Sequence, residues 1–333
     1  MTATITSRPT RAGSRIVSTG SYRPARIITN DEVCTWIESS DEWIRERSGI
    51  VERRWAADDE SVSDMGTIAA AKAIAAAGLA PTDISVVIVA SVSHPYVTPS
   101  AAVEIADRVG AVDAAALDVS AACAGFCYAI GLADSLIRSG ESEHVLVVGV
   151  EKLSDFVDKS DRGSAFIFAD GAGAVVVSPS ERPGIGPTVW GADGSQRKVI
   201  TMTQSWVEYR DEPKGFPALW MEGQKVFRWA VGEMSKVAEQ ALTAAGITSA
   251  DLAAFVPHQA NNRITDALVK YLQLPEHVVV ARDIITTGNT SSASVPLALD
   301  RMLENGEIQS GGLALIIGFG AGLAFAAQVI EIP

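Results

Sequence analysis

The sequence holds only three cysteines, Cys34, Cys123 and Cys127, in 333 residues. An odd, sparse set in so long a chain excludes a disulfide framework. No Cys/His array has zinc spacing either. Cys123 and Cys127 stand four apart, with no histidine following at ligand distance, so no metal is expected. Histidine is scarce as well, with four in all. No apolar run reaches the roughly 18 residues of a membrane-spanning helix. Residues 1–14 are polar and basic, with Arg8, Pro9 and Arg11 and no apolar stretch. They read as a frayed tail, not as a signal peptide or anchor. Basic residues are also short, 27 against 40 acidic ones, for a net charge of −13. An acidic surface argues against non-specific nucleic-acid binding. These absences point to a reduced, cytoplasmic protein that uses neither membrane nor nucleic acid.

What is present is apolar and small. Hydrophobic residues make up 47% and charged residues 20%. That is enough to bury a core larger than one ordinary domain, so two domains or a duplicated α/β unit is expected. Residues 84–90 (Ile-Ser-Val-Val-Ile-Val-Ala) and 145–148 (Val-Leu-Val-Val) read as strands buried on both faces. Residues 114–117 read as a third. Helices are expected near 30–37, with Asn30 as its N-cap, and near 61–77, 99–109 and 127–138. The segment 165–177, with Gly171-Ala-Gly173, reads as a glycine-rich hairpin closing a first half. Residues 178–219 read as a connector with an excursion.

The pattern then recurs. Ala73-Ile-Ala-Ala-Ala-Gly78 through Asp83 to Val89 aligns without a gap on Ala241-Leu-Thr-Ala-Ala-Gly246 through Asp251 to Pro257. Each copy is a helix, a glycine stop, an Asp-containing turn and a strand. The Gly171-Ala-Gly173 segment is echoed by Gly320-Ala-Gly322. This self-similarity indicates duplication. The expected organisation is a tail (1–14), an N-terminal half (15–180) and a C-terminal half (181–333). Strand ends from both halves would converge on one site.

Three residues fall at strand-to-helix junctions. Cys123 lies in Asp118-Val-Ser-Ala-Ala-Cys-Ala-Gly-Phe126, where free N–H groups at a helix start favour a thiolate and small neighbours leave room for approach. His258 follows a second-half strand, in Pro257-His-Gln-Ala-Asn261. Asn289 lies in the small-residue turn Thr286-Thr-Gly-Asn-Thr-Ser-Ser-Ala293. A cysteine supplies an acyl-accepting nucleophile. A histidine and an asparagine can donate hydrogen bonds to a developing oxyanion without ionising. Early in the chain, Trp43, Arg45, Arg47, Arg53, Arg54 and Trp55 cluster, which suits an anionic, planar ligand.

The motifs Ser40-Asp-Glu-Trp-Ile44, Ala121-Ala-Cys-Ala-Gly-Phe126, Pro257-His-Gln-Ala-Asn261, Gly288-Asn-Thr-Ser291 and Ser294-Val-Pro296 together resemble the β-ketoacyl-acyl carrier protein synthase III family, within the thiolase-like superfamily. The likeness extends from about Arg15 to Pro333 and suggests an actinobacterial-type primary or polyketide-priming member. It implies a duplicated α/β fold in five layers, α-β-α-β-α. It implies acyl-coenzyme A and malonyl-acyl carrier protein as substrates, no cofactor, and a homodimer. Cys123 would carry the acyl group, with His258 and Asn289 stabilising an enolate. The backbone N–H groups of Cys123 and Ala321 would form an oxyanion hole. Family members commonly have glycine where Ala321 stands, which matters only if that position needs a positive φ.

The resemblance also implies a coenzyme A site from Trp43, Arg47, Arg162, Gln224 and Asn261. The acyl pocket would draw on Thr98, Phe126 and Phe319, with Phe166 a further candidate and Thr98 reaching into a partner subunit. Arg228, Arg263 and Lys270 would form a rim for an acidic carrier protein. Two other readings stay open. One is a relative that moves an acyl group to an alcohol or amine without condensation. The other is a silent partner subunit, which the intact Cys, His and Asn disfavour.

Overall fold

The computed structural model describes residues 5–333. In chain order the first half forms β1 (Gly13–Tyr22), β2 (Arg26–Thr29), α1 (Asn30–Val33), α2 (Asp41–Ser48), β3 (Glu52–Trp55), α3 (Val62–Ala76) and β4 (Ile84–Ala90). It continues with α4 (Ala101–Val109), β5 (Ala115–Val119), α5 (Gly125–Arg138), β6 (His144–Lys152) and β7 (Asp170–Ser180). The second half forms β8 (Val189–Ala192), β9 (Ile200–Met202), α6 (Trp206–Asp211), β10 (Leu219–Met221), α7 (Gly223–Ala245) and β11 (Ala254–Pro257). Then come α8 (Asn262–Tyr271), β12 (Val279–Val280), α9 (Ile284–Thr287), α10 (Ser294–Glu304), β13 (Leu313–Gly320) and β14 (Ala324–Glu331).

The internal repeat is visible as topology. One five-stranded sheet runs β1-β7-β6-β4-β5, and the other, read from its far edge, runs β8-β14-β13-β11-β12. Pairings match position by position. β4 is parallel to β5 and β6, as β11 is to β12 and β13. β7 is antiparallel to its neighbours, as β14 is to its own. The apolar central strands need cover on both faces. α3 and α4 cover the outer face of the first sheet, and α7 and α8 that of the second. α5 and α10 fill the space between the sheets, where Ile88, Phe126, Ile130, Val295, Leu299 and Ile316 share one core. Five layers result.

Four expectations need correcting. The segment at 114–117 is not a buried strand. β5 (Ala115–Val119) is the sheet edge, and its residues are exposed or half-buried. Its apolar composition therefore marks an uncovered surface. The glycine-rich segment is not a hairpin on its own; Asp170–Ser180 is one long strand that turns antiparallel against β6. The connector at 178–219 contributes β8 to the second sheet by pairing with β14. Finally, the short early helix is capped by Thr29, whose hydroxyl accepts the Glu32 N–H, and not by Asn30. The described part of the predicted tail is tied down in places. Arg11 N–H donates to Arg138 O at 2.8 Å and its guanidinium pairs with Glu143. Residues 1–4 lie outside the described residues.

Candidate active site

Each functional side chain sits where a strand hands over to a helix. β5 ends at Val119, and Cys123 lies in the single 3-10 turn Ala122–Ala124 before α5. Ala122 takes a left-handed φ of 46°, which makes this a sharp, strained elbow. Gly320, the last residue of β13, lies opposite. A Cβ there would stand 2.8 Å from both Cβ and Sγ of Cys123, so only glycine admits the sulfur this close. Cys123 is partly exposed to the cavity, yet its sulfur is enclosed by protein. Burial pushes the thiol up to about 12, against hydrogen bonds from Ser291 and from the N–H groups of Cys123 and Ala321, and a negative charge on nearby Glu151 would raise it further. Enclosure thus works against the thiolate that the helix start favours. Ala321 is not among the positive-φ residues, so alanine serves there as glycine would.

β11 ends at Pro257 and delivers His258, only 2% exposed. Its Nδ1 lies 2.7 Å from Ser294 Oγ, which also accepts the Gln259 N–H at 3.3 Å. The single Ser294 hydrogen is then given to Nδ1, which assigns the ring proton to Nε2. Burial lowers the imidazole to about 3, so it stays neutral. Phe319 packs edge-on against the ring at 5.3 Å. Asn289 follows α9. Its main chain is pinned by Ile167 O and the Ala169 N–H. Its Oδ1 accepts the Ser291 N–H at 2.9 Å, which turns Nδ2 toward the cavity as a donor. In the sequence, Ser294 and Ser291 stand out only as members of their motifs. Their roles depend on contacts across the turn and across 36 residues, which the sequence does not display.

Cys123, His258 and Asn289 line one cavity of about 550 Å³, with Phe166 and Phe319 on its walls. Trp43, Arg47, Arg162, Gln224, Arg228, Asn261 and Arg263 line it too, and most of these are exposed, forming the outer part. Arg162 lies over the Trp43 ring at 4.4 Å and Arg47 at 5.6 Å. The Asn261 carboxamide is occupied within the protein. It caps α8 through the Arg263 N–H and donates to Arg47 O at 2.8 Å, tying α8 to α2. Three expected residues lie elsewhere. Phe126 is fully buried in the core between the sheets, because three positions along the helix from Cys123 it points inward; its place in the acyl pocket is corrected. Thr98 stands exposed on the loop after β4, apart from this cavity. Lys270 is exposed near the end of α8, one helical face with Arg263 but outside the cavity lining.

A nucleophile faces two neutral hydrogen-bond donors at the end of a channel rimmed by arginines. That arrangement can hold an acyl thioester and stabilise a developing oxyanion. Comparison with known proteins agrees with it. The 3-oxoacyl-[acyl-carrier-protein] synthase III model matches residues 117–194, and the model of that enzyme's C-terminal part matches residues 242–332. The beta-ketoacyl-[acyl-carrier-protein] synthase III of Streptomyces glaucescens is 55% identical over 321 residues, covering 96% of each chain. The priming beta-ketosynthase from the R1128 polyketide biosynthetic pathway superimposes with a TM-score of 0.96 at 51% identity over 98% of each chain. The 3-oxoacyl-[acyl-carrier-protein] synthase III of Aquifex aeolicus VF5 gives 0.89 at 37% identity, over 96% of this chain and 100% of that one. With identity above 50% over nearly the whole of both chains, the chain belongs to the β-ketoacyl-[acyl-carrier-protein] synthase III family, with its thiolase-like α/β fold.

Proposed function

We propose that the chain condenses an acyl-coenzyme A primer with malonyl-acyl carrier protein, starting a fatty-acid or polyketide chain. The observation that carries this reading is the meeting of Cys123 with two neutral donors, His258 Nε2–H and Asn289 Nδ2, in one cavity. In the first step Cys123 Sγ attacks the acyl thioester carbonyl. The new C–S bond forms, the bond to coenzyme A breaks, and the thiol proton leaves with the coenzyme A sulfur. The N–H groups of Cys123 and Ala321 hold the oxyanion.

In the second step malonyl thioester loses carbon dioxide. The charge passes to its carbonyl oxygen, where His258 and Asn289 donate. The enolate carbon then attacks the acyl group, the bond to Cys123 breaks, and a solvent proton restores the thiol. No cofactor takes part. Trp43, with Arg162 and Arg47 beside it, supports stacking of the adenine and pairing with phosphate. Gln224 and Asn261 stand along the channel for the pantetheine arm. Arg228 and Arg263, with Lys270 further along α8, suit the acidic surface of a carrier protein. The similarity to both a named synthase III and a polyketide priming enzyme supports either pathway. No described helix is long and apolar enough to cross a membrane, which suits a cytoplasmic enzyme.

Radiolabelled acyl-coenzyme A followed by malonyl-carrier protein tests the reading. Wild type should carry label on Cys123 and release β-ketoacyl product, and Cys123→Ala should carry none. His258→Ala should load normally but decarboxylate at least about 100-fold more slowly, the loss seen for a removed oxyanion donor. Label without carbon–carbon bond formation would replace condensation by simple acyl transfer.

A further inference from the structure

β6 runs behind the cysteine elbow, and its residue Glu151 is a carboxyl group with no exposure to solvent. None of the groups acting on it carries a positive charge. Its Oε2 accepts the Val92 N–H at 3.0 Å, the Ser93 hydroxyl at 2.6 Å and the Ser91 hydroxyl at 3.3 Å. Its Oε1 lies 3.0 Å from Ser292 Oγ. Ser292 Oγ also lies 2.7 Å from Ala90 O, a carbonyl with no hydrogen to offer. A serine hydroxyl has one hydrogen. The shorter contact takes it, so the hydrogen between Ser292 and Glu151 must sit on the carboxyl. Burial, the largest influence on this group, raises it toward the same protonated state, against hydrogen bonds from Ser93, Val92, Ser292 and Ser291 that lower it.

We propose that Glu151 works as a neutral carboxylic acid, a positioning residue that fastens the 289–292 turn to the strand behind Cys123. The turn needs a fastening. Ser291 is held at a left-handed φ of 49°, and its N–H is what orients the Asn289 carboxamide. The fit is close. On the same strand, a Cβ at Gly149 would lie 2.5 Å from Ser292 O. Glu151 thereby joins the loop after β4, from the first half, to the turn that carries Asn289, from the second. Neutrality matters because a charge on this group would act directly on Cys123. A carboxylate there would oppose the negative charge that develops at the sulfur and at the oxyanion.

The inference rests on the condensing reading above for its consequence, though not for its test. Infrared difference spectra of resting wild-type protein against Glu151→Gln, taken at neutral pH without substrate, should show the C=O stretching band of a buried protonated carboxylic acid, absent from the variant. Condensation adds a second readout. Glu151→Ala should lose about 10- to 100-fold in kcat, the effect of stranding buried hydrogen-bonding groups, with KM for acyl-coenzyme A little changed. Glu151→Gln, which keeps a neutral donor and acceptor, should restore most of that loss. If the alanine variant does not fold, Ser292→Ala reports on the same contact by shifting the band as the acid loses its acceptor. Absence of the band in wild type, or a glutamine variant as impaired as alanine, overturns the proposal and makes Glu151 a working carboxylate. The infrared band decides the protonation state even if the protein proves not to condense.

Discussion

Enclosure strips the charge from His258 before any substrate arrives, and this has a consequence for acid stability. The folded imidazole titrates near 3 against 6.5 for an unburied one. Between those values the unfolded chain binds more protons, so stability is full above 6.5 and falls as pH drops through the window. In denaturant melts between about pH 6 and about pH 4, His258→Gln should therefore lose stability with acidification less steeply than wild type, by about 1.4 kcal/mol per pH unit. An equal slope would mean His258 is charged in the folded protein. The same neutrality makes it a standing Nε2–H donor, so no acid limb in the rate profile should belong to it. Cys123, His258 and Asn289 were legible in the sequence because each follows a strand-like run and sits among small residues at a helix start. The protonation of Cys123 and His258 was not, because it depends first on burial and on groups that approach from distant parts of the chain.

At the scale of elements, α2 shows how local rules serve the site. Ser40 caps it by accepting the Trp43 N–H at 3.2 Å, Asp41 pairs with Arg45, and Gly49 ends it in a left-handed conformation. The sequence displays all of this, since capping is a short-range property. The cap also fixes the residue proposed to stack on the adenine. Ser40→Ala should cost about 1 kcal/mol of stability and raise KM for acyl-coenzyme A severalfold while leaving kcat nearly unchanged. Steady-state kinetics and thermal melts check it. A fall in kcat with an unchanged KM would break the link between α2 and binding. β5 departs from the expectation because an apolar strand looks the same from the sequence whether a neighbour covers it or not. β5 is apolar and at an edge, whereas β4 is apolar and central.

For the whole molecule, that edge is an unfinished surface. Leu117 on β5 is 41% exposed, and nearby Val112 and Val97 are 70% and 94% exposed. A long apolar edge left open invites pairing with another chain. A second copy across β5 is the partner proposed here, and it would bring Thr98 toward the neighbouring cavity. Light scattering should give a dimer for wild type and a monomer for Leu117→Lys. A dimer in both would move the interface elsewhere. The division of work between the halves is also a property of the whole. Cys123 comes from the first and His258 and Asn289 from the second, and they meet because α5 and α10 pack between the two sheets.

The sequence alone determined the repeat, the buried central strands, the Ser40 cap and the strand-to-helix junctions at which Cys123, His258 and Asn289 stand. These depend on periodicity, on short-range hydrogen bonding and on motifs that lie within a few residues of one another. The tertiary structure decided which apolar segments are covered, that Phe126 belongs to the core, and that Thr98 stands apart from its own chain's cavity. It also decided how deeply Cys123, His258 and Glu151 are enclosed, and so which way burial shifts their titration. Burial and electrostatics are sums over neighbours brought together from both halves of the chain, and no window of sequence contains those neighbours.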